Sequence, residues 1–343
     1  MPPSPAGFSM PAEWERHEAT WLAWPHNKND WPGKFAPIHW VYGEIARRIA
    51  ESEKARILVN SDEIEKLARR VLSAVGADPQ NLEFYRWQTD RVWVRDYGPI
   101  FVKSKNETAM ANFHFSGWAK YPNHKKDDKV PAQIARKFGM KVFDASHFTL
   151  EGGAIDVNGH GTLLTTEECL LDTMVQTRNP GLGPKETEEQ IKKYLGATNI
   201  LWLGKGIDGD DTHGHVDDLC RFVNKNTVVL CSEENPGDAN YQPLNDNRER
   251  LEGMRLEDGS KINVALLPMP SPVVFKGQRL PASYANFYIT NSAVLVPTFN
   301  DPKDRIALGI LAELFPDRTV VGIHSVDLVW GLGTIHCLSK QQP

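Results

Sequence analysis

One order of segments recurs along this chain, as the spacing of its apolar and polar residues shows. Residues 61–76 carry apolar side chains at helical spacing, with Ser61 as a predicted N-cap and Gly76 past the end. A strand pattern at 82–87 follows, then the polar segment 93–99, and then two apolar runs on either side of a turn. This unit predicts a helix, a strand, a polar motif and a hairpin in succession.

The same order returns four more times. Predicted helices span 130–138, 185–195, 246–254 and 302–314, and the strands predicted after them span 141–143, 199–203, 262–267 and 319–323. Helices that start near 62, 130, 185, 246 and 302 lie 55 to 68 residues apart. This spacing indicates a five-fold repeat of a βαβ-like unit. We therefore expect an α/β fold.

The fifth copy lacks the strand that would complete its hairpin. Residues 20–24, with the sequence Thr-Trp-Leu-Ala-Trp, are the natural candidate for that strand. A ring closed in this way contains strands from both chain ends, and closure removes exposed sheet edges. Because the polar motifs then occupy equivalent places, we expect all of them to face one central cavity.

The five polar motifs supply side chains that suit a common chemical task. At equivalent positions they hold Asp96, Glu151, His215 with Asp217, Asn286, and Cys337. A thiol, an imidazole and several carboxylates match the pattern of an active site. A guanidinium fits this set, because it is planar, stays charged below a pH of about 12 and donates forked hydrogen bonds to carboxylates. Its central carbon is a poor electrophile, so a strong nucleophile such as the Cys337 thiolate is needed. His215 is suited to donate a proton to departing ammonia and then to take one from water.

Composition narrows the choice of partners. A net charge of -5 without any Lys/Arg cluster argues against nucleic acid or an anionic membrane, and favours a small cationic ligand. The first ten residues lack a basic and apolar export signal, and no run of about 18 apolar residues occurs. Cysteines at 169, 220, 231 and 337 show no zinc spacing, so we expect a cytoplasmic protein with reduced thiols. The outer helical faces leave room for a homo-oligomer.

Five segments resemble those of the guanidino-group-modifying, or pentein, enzymes. They are Trp-Val-Arg-Asp-Tyr-Gly-Pro (93–99), Glu-Gly-Gly (151–153), Gly-His-Val-Asp (214–217), Tyr-Ala-Asn-Phe-Tyr (284–288) and Gly-Leu-Gly-Thr-Ile-His-Cys (331–337). Within this superfamily the chain resembles the agmatine deiminases and the broader microbial peptidylarginine deiminase-like group. The resemblance implies a five-bladed pseudosymmetric α/β propeller, the pentein fold, with its ring closed by the N- and C-terminal strands. It also implies a single catalytic domain over residues 1–343.

The resemblance further implies a reaction and the residues that carry it. The reaction is hydrolysis of agmatine to N-carbamoylputrescine and ammonia, a step of putrescine biosynthesis, through a covalent thiouronium intermediate on Cys337. His215 is implied as general acid and base, and Asp96, Glu151 and Asp217 as guanidinium ligands. The predicted substrate-binding residues are Trp93, Asp211 and Asn286. No metal or organic cofactor is expected.

The chain departs from the family pattern at three positions near these residues. Leu332 and Thr334 stand where Gly and Asn are expected, and His213 stands where Asp is common. None of the three is a predicted catalytic group. We expect them to alter the shape of the pocket rather than the chemistry.

Three alternative interpretations stay open. The His-x-His-x-Asp spacing of His213, His215 and Asp217 also suits a zinc hydrolase, although His324 and His336 are the only histidines that remain downstream as further ligands. A non-catalytic polyamine-binding module would keep the acidic pocket but would have no use for a thiol. Free arginine or peptidyl-arginine could replace agmatine as substrate, and no residue of the sequence can be assigned to bind an α-carboxylate.

Overall fold

The sheets of this protein share one pattern, in which a central strand pairs antiparallel on one side and parallel on the other. A computed structural model of the chain describes residues 2–343 and contains five sheets with this pattern. In chain order the strands are β1 (Ala19–Ala23), β2 (Lys54–Leu58), β3 (Leu82–Tyr85), β4 (Ile100–Lys103), β5 (Thr108–His114), β6 (Lys141–Thr149), β7 (Asp156–Val157), β8 (Thr162–Thr166), β9 (Asn199–Leu203), β10 (Cys220–Asn224), β11 (Thr227–Ser232), β12 (Asn263–Pro268), β13 (Val274–Phe275), β14 (Gln278–Arg279), β15 (Tyr288–Ile289), β16 (Ala293–Thr298), β17 (Thr319–His324) and β18 (Lys340–Gln342).

Within residues 2–343 the helices lie in crossovers between parallel strands, apart from the short helix at residues 94–97, which joins two sheets. They are α1 (Phe35–Ile49), α2 (Asp62–Ala74), α3 (Val94–Tyr97), α4 (Val130–Phe138), α5 (Glu167–Leu171), α6 (Pro184–Leu195), α7 (Tyr241–Gly253) and α8 (Lys303–Leu314). Parallel neighbours need such a connection because they run in the same direction. None of the helices within residues 2–343 is long and apolar enough to cross a lipid bilayer.

Four sheets consist of a hairpin followed by a parallel strand, in the orders β4-β5-β6, β7-β8-β9, β10-β11-β12 and β15-β16-β17. The first sheet has the order β18-β1-β2-β3, and β18 pairs antiparallel with β1. The prediction that strands from both chain ends share one sheet is therefore confirmed. The short hairpin of β13 and β14 stands apart from these five sheets.

Local signals fix several helix ends where the sequence predicts them. The Ser61 hydroxyl accepts a hydrogen bond from the Ile64 backbone N–H at 3.3 Å, as an N-cap does. Gly196 ends α6 in the left-handed conformation, with φ of 70°. Helix α4 spans the predicted residues 130–138.

Other elements differ from the prediction. Helix α7 begins at Tyr241 rather than Asp246, because Pro243 lies in its first turn, where no backbone N–H is needed. Strand β6 continues to Thr149, beyond the predicted end at residue 143. Helix α1 and strand β2 have no counterpart in the prediction, and they give the first sheet its fourth strand.

Helix α1 covers the first sheet with an apolar face. Ile38, Tyr42, Ile45 and Ile49 are fully buried on it and pack into the same core as Trp21. Burial of each such side chain contributes about 1.5–3 kcal/mol to folding. Cys337 belongs to this core as well, so the segment that carries it packs against the first sheet and helix α1.

Candidate active site

Each polar motif lies where the chain leaves one sheet and enters the next. Asp96 lies on α3 between β3 and β4, and Glu151 lies between β6 and β7. The pair His215 and Asp217 lies between β9 and β10, and Cys337 lies between β17 and β18. Asn286 precedes β15, and all six of these side chains are buried. The equivalence of the motifs predicted from the sequence is therefore present in the fold.

His215 lies among three carboxylates. Its Nδ1 atom is 3.7 Å from Asp96 Oδ1 and 4.0 Å from Asp217 Oδ1, and its Nε2 atom is 3.8 Å from Glu151 Oε2. Neither ring nitrogen has a hydrogen-bond partner within residues 2–343. Burial acts to lower the pKa of His215, but Asp96, Cys169 and Glu151 outweigh it and hold that pKa well above its usual value. The ring is therefore an imidazolium at neutral pH, and it has N–H groups free to donate.

Cys337 is held by an amide and faces acids. Asn286 Nδ2 donates to Cys337 Sγ at 3.1 Å, and Asp217 Oδ2 lies 3.8 Å from the same sulfur. Burial, together with the charges of Asp217, Asp218 and Asp96, raises the pKa of the Cys337 thiol well above its usual value. Without a ligand, Cys337 is therefore a protonated thiol. A cationic ligand would be needed to favour the thiolate.

Asp96 is oriented by two donors. Its Oδ1 atom accepts from the Gly153 backbone N–H at 3.0 Å, and its Oδ2 atom accepts from Trp118 Nε1 at 3.0 Å. Burial, with Asp217 and Glu151 adding to it, raises the pKa of Asp96 to about 6 despite the opposing charge of His215. A bound cation would lower that pKa again, because it favours the carboxylate.

The glycine at 153 is required by the site. A Cβ atom at Gly153 would lie 2.6 Å from His215 Nδ1, 2.8 Å from Asp96 Oδ1 and 3.0 Å from Asp217 Oδ2. Three of the four predicted polar catalytic groups thus converge on one backbone position. The motif Glu-Gly-Gly is explained by this packing, since any side chain at 153 would displace them.

Glu151 has a cationic partner, Arg178, that no pattern in the sequence predicts. Arg178 Nε is 3.1 Å from Glu151 Oε1, and both side chains are fully buried. Burial acts to raise the pKa of Glu151, but Arg178 and His215 outweigh it and lower that pKa to about 2. Arg178 also donates to the Thr212 carbonyl at 2.5 Å, which ties the Glu151 motif to the His215 loop.

A cavity of about 310 Å³ opens beside these groups. Four predicted site residues line it, namely Cys337, Asp96, Trp93 and Asp211, and Trp118 completes its aromatic wall. Its remaining lining residues are Asn27, Asn29, Asp30, Arg91, Tyr121, Asn123, Thr212, Gly331 and Leu332. His215, Asp217, Glu151 and Asn286 lie behind this wall rather than on it. The volume is at the lower end of the range for small-molecule sites.

Asp211 lies on the wall of this cavity with two partners of its own. Its carboxylate accepts from Lys120 Nζ at 2.6 Å and from Tyr121 Oη at 2.7 Å. Arg91 is the cation that lines the cavity, and its guanidinium contacts Asp30 Oδ1 at 3.0 Å and Asn123 Oδ1 at 3.2 Å.

The three residues of the His-x-His-x-Asp spacing do not come together around one point. His213 Nε2 contacts Asp172 Oδ2 at 2.7 Å, away from His215. Among the residues that the structure describes, two groups have potential ligand atoms close together, one of Glu151, Cys169 and His215 and one of Asp217, Asp218 and Cys337. Neither group contains His213, so the His-x-His-x-Asp spacing does not assemble a metal site.

Comparison with known proteins places this geometry in a family. The chain matches the Porphyromonas-type peptidyl-arginine deiminases over residues 9–343. It is 34% identical to an agmatine deiminase of Pseudomonas aeruginosa, over 99% of this chain and 97% of that protein. The structure of an Enterococcus faecalis agmatine deiminase superposes with a TM-score of 0.93 at 32% identity, covering 100% of this chain and 97% of the other. A C. jejuni agmatine deiminase with substrate bound superposes with a TM-score of 0.88 at 29% identity, covering 98% and 96% of the two chains.

The chain belongs to the Porphyromonas-type peptidyl-arginine deiminase family. Membership fixes a pentein-like α/β fold and the class of enzyme, a hydrolase that acts on amidines.

The three departures from the family pattern have distinct structural roles in this deiminase. Leu332 and His213 both adopt left-handed backbone conformations, with φ of 69° and 65°, where a side chain costs about 1–2 kcal/mol. Leu332 lines the cavity, which agrees with an effect on pocket shape. Thr334 instead touches the site, because its hydroxyl donates to Asn286 Oδ1 at 2.7 Å.

Proposed function

We propose that this deiminase hydrolyses agmatine to N-carbamoylputrescine and ammonia through a covalent intermediate on Cys337. The observation that carries the proposal is that Cys337 and Asp96 line one small cavity, with His215 and Asp217 directly behind them. Relatives that align over nearly the whole chain are agmatine deiminases, which supports the choice of substrate.

The guanidinium is bound by carboxylates in this proposal. Asp217 Oδ1 is buried and has no hydrogen-bond partner in the described part of the chain, so it is available to a substrate N–H. Asp96 offers the second carboxylate, and a bound cation would keep it ionised at neutral pH. Glu151 takes part through Oε2, the oxygen on the side of His215, which Arg178 Nε contacts at 3.4 Å, while the shorter contact of Arg178, at 3.1 Å, is to Oε1.

The chemistry then follows from the charges of the site. The bound cation offsets the acids around Cys337, so the thiol loses its proton to solvent and the thiolate attacks the guanidinium carbon. The His215 imidazolium gives its proton to the departing nitrogen, which leaves as ammonia, and a thiouronium remains on the sulfur. Neutral His215 next takes a proton from water, which attacks the same carbon. Cleavage of the C–S bond restores the thiolate, and loss of the remaining hydroxyl proton to solvent gives the neutral ureido product.

Other predicted features take their place in this proposal. The five sheets act as five blades of a propeller that forms one catalytic domain over residues 1–343, in a cytoplasmic enzyme. Trp93 forms a wall of the cavity, Asp211 faces the distal ammonium of agmatine, and Asn286 supports the thiolate by its hydrogen bond.

Free arginine is the less suitable substrate. Its α-carboxylate would need a cation in the cavity, and Arg91 is the residue in position to supply one. The Arg91 guanidinium is already neutralised by Asp30 at 3.0 Å. An α-carboxylate would have to compete with Asp30 for Arg91. The ammonium of agmatine would likewise compete with Lys120 for Asp211, but the cavity lining holds three carboxylates and one cation, which favours the ammonium.

Turnover of three substrates tests the proposal. The wild-type protein and the Cys337→Ala variant are each incubated with agmatine, free arginine or a blocked arginyl peptide. The ureido product is quantified by a colorimetric assay. We expect agmatine to be turned over faster than the other two, and the variant to be inactive with all three. Faster turnover of arginine or of the peptide would refute agmatine as the preferred substrate. An active Cys337→Ala variant would refute the covalent mechanism on Cys337.

A further inference from the structure

His336 joins the acid beside the nucleophile to the start of the chain. Its Nδ1 atom is 2.6 Å from Asp217 Oδ2, and its Nε2 atom is 2.8 Å from Glu13 Oε2. All three side chains are at least nine-tenths buried. The ring therefore connects two carboxylates that lie on segments more than 200 residues apart in sequence.

Glu13 is a fixed anchor at the far end of this connection. Arg95 Nη2 is 3.2 Å from its Oε2 atom, and Arg221 Nη2 is 3.1 Å from its Oε1 atom. The Ile289 backbone N–H also donates to Glu13 Oε1 at 3.0 Å. Arg95 further donates to the His336 carbonyl at 3.2 Å, beside the nucleophile. Glu13 cannot move without breaking contacts to three other parts of the chain.

We propose that Glu13 and His336 are positioning residues, which fix the Asp217 carboxylate so that Oδ1 faces the guanidinium and Oδ2 is screened from Cys337. This inference rests on the proposed function for its substrate. Its effect on the thiol, however, concerns the free protein and can be measured without any substrate.

The two oxygens of Asp217 support separate roles. Oδ2 is taken by His336, and it is also the oxygen that lies 3.8 Å from Cys337 Sγ. Oδ1 has no protein partner among residues 2–343 and lies 4.0 Å from His215 Nδ1. A carboxylate with both oxygens free could rotate, and either oxygen could then turn toward the sulfur.

Electrostatics gives the second role of His336. When the ring proton is on Nδ1, His336 donates to Asp217 Oδ2, and this donor draws negative charge away from the sulfur because a hydrogen bond to a carboxylate stabilises its charge. Loss of that donor would leave the full charge of Asp217 next to Cys337. The thiol would then hold its proton to higher pH, and less of it would be thiolate at any given pH.

Two substitutions of His336 separate these roles. Asparagine places its amide near the Nδ1 position and keeps a donor to Asp217, while glutamine places its amide near the Nε2 position and keeps only the contact with Glu13. We expect His336→Gln to lower kcat on agmatine by about 100-fold, the loss typical of a misplaced catalytic group. His336→Asn should recover most of the activity that glutamine loses.

The direct measurement is the rate of Cys337 alkylation by iodoacetamide across pH, without substrate. We expect the profile of His336→Gln to move to higher pH relative to the wild type, and that of His336→Asn to lie nearer the wild type. His39→Gln is the control, because His39 is also buried and its ring stacks on Trp24 instead of contacting a carboxylate. It should lower the melting temperature without moving the alkylation profile.

Several results would overturn the inference. Identical alkylation profiles for the two His336 variants would do so, and so would equal kcat values for them. Should His336→Gln not fold, Glu13→Gln serves instead, since it leaves the ring in place and should give a smaller shift in the same direction. Wild-type protein that does not turn over agmatine would refute the proposed function, while the alkylation result would still decide the role of His336.

Discussion

The Thr334 hydroxyl donates to Asn286 Oδ1 at 2.7 Å and so sets which way the Asn286 amide faces. With its oxygen held by Thr334, the amide must present its nitrogen to Cys337 Sγ at 3.1 Å and to Asp218 Oδ1 at 2.9 Å. A flipped amide would turn an oxygen toward the thiolate and oppose its charge. Thr334, one of the departures from the family pattern, therefore supports the proposed nucleophile.

The first prediction concerns this hydroxyl. Thr334→Val keeps the shape of the side chain and removes the donor, so kcat on agmatine should fall by about 10-fold, equivalent to one hydrogen bond. The loss stays moderate because the His336 and Cys337 backbone N–H groups also contact Asn286 Oδ1. Thr334→Ser keeps the hydroxyl and is the control. Initial rates of ureido product formation measure the effect, and equal rates for the two variants would contradict it.

The second prediction concerns Gly153. Gly153→Ala would place a methyl group 2.6 Å from His215 Nδ1, so the site must distort, and we expect a loss of activity of at least about 100-fold. Gly309→Ala is the matched control, because Gly309 lies in helix α8 with open space where the methyl group would go. The control should gain about 0.5–1 kcal/mol of stability and keep its activity. An active Gly153→Ala protein would show that the three groups do not pack on this position as described.

The order of elements could be predicted because its signals are local. The capped helix after Ser61 and the helix 130–138 need no tertiary information, and five repeats of the same order mark the places of the motifs. The repeated order of elements does not predict helix α1, although the buried face of this helix has helical spacing. The reason is that the repeat unit contains no element at its position. The start of α7 was predicted too late because of Pro243, since a proline usually indicates a helix boundary.

The chemistry of the site could be predicted from the motifs, but their supporting residues could not. Cys337, His215 and Asp96 stand at equivalent points of the repeated order of elements, and that equivalence predicts that they lie close together. Arg178 and Glu13 lie in segments without any repeated motif, and they matter only through side chains that meet in three dimensions. No spacing in the sequence reports such a contact.

The third prediction is a pH dependence of stability that arises from Asp96. Its folded-state pKa of about 6 lies above that of an unfolded aspartate, about 3.9. The folded state thus holds this proton more tightly, so the contribution of Asp96 to stability is present below about pH 4 and is lost as pH rises through 6. Asp96→Asn removes the titration and should be more stable than the wild type at pH 8, by at most about 3 kcal/mol.

Thermal unfolding at several pH values measures this effect. The difference in melting temperature between Asp96→Asn and the wild type should shrink toward pH 4, and the variant should be inactive throughout. Differences of the same size at pH 4 and pH 8 would mean that the carboxylate charge is not their cause. In the wild type, kcat/KM on agmatine should fall as pH drops through about 6, because protonated Asp96 no longer binds the guanidinium.

The fourth prediction concerns the buried pair of Arg178 and Glu151. Arg178→Met fills similar space but leaves buried Glu151 without its nearest cation, and we expect a loss of about 3–5 kcal/mol in the free energy of unfolding. Arg47→Met, which breaks a partly exposed pair with Glu44, should cost no more than about 1 kcal/mol. Urea denaturation at pH 7 measures both values.

The double variant Arg178→Met with Glu151→Gln shows whether the loss comes from the unpaired charge. It should recover much of the stability that Arg178→Met loses, because the neutral amide no longer needs a cation. The folded-state pKa of Glu151, about 2, lies below its unfolded value, so the stability it contributes is present above about pH 4.3 and is lost as pH falls toward 2. The gap between Arg178→Met and the wild type should therefore narrow below pH 4. A gap that stays constant with pH, together with no recovery in the double variant, would assign the loss to packing by Arg178 instead.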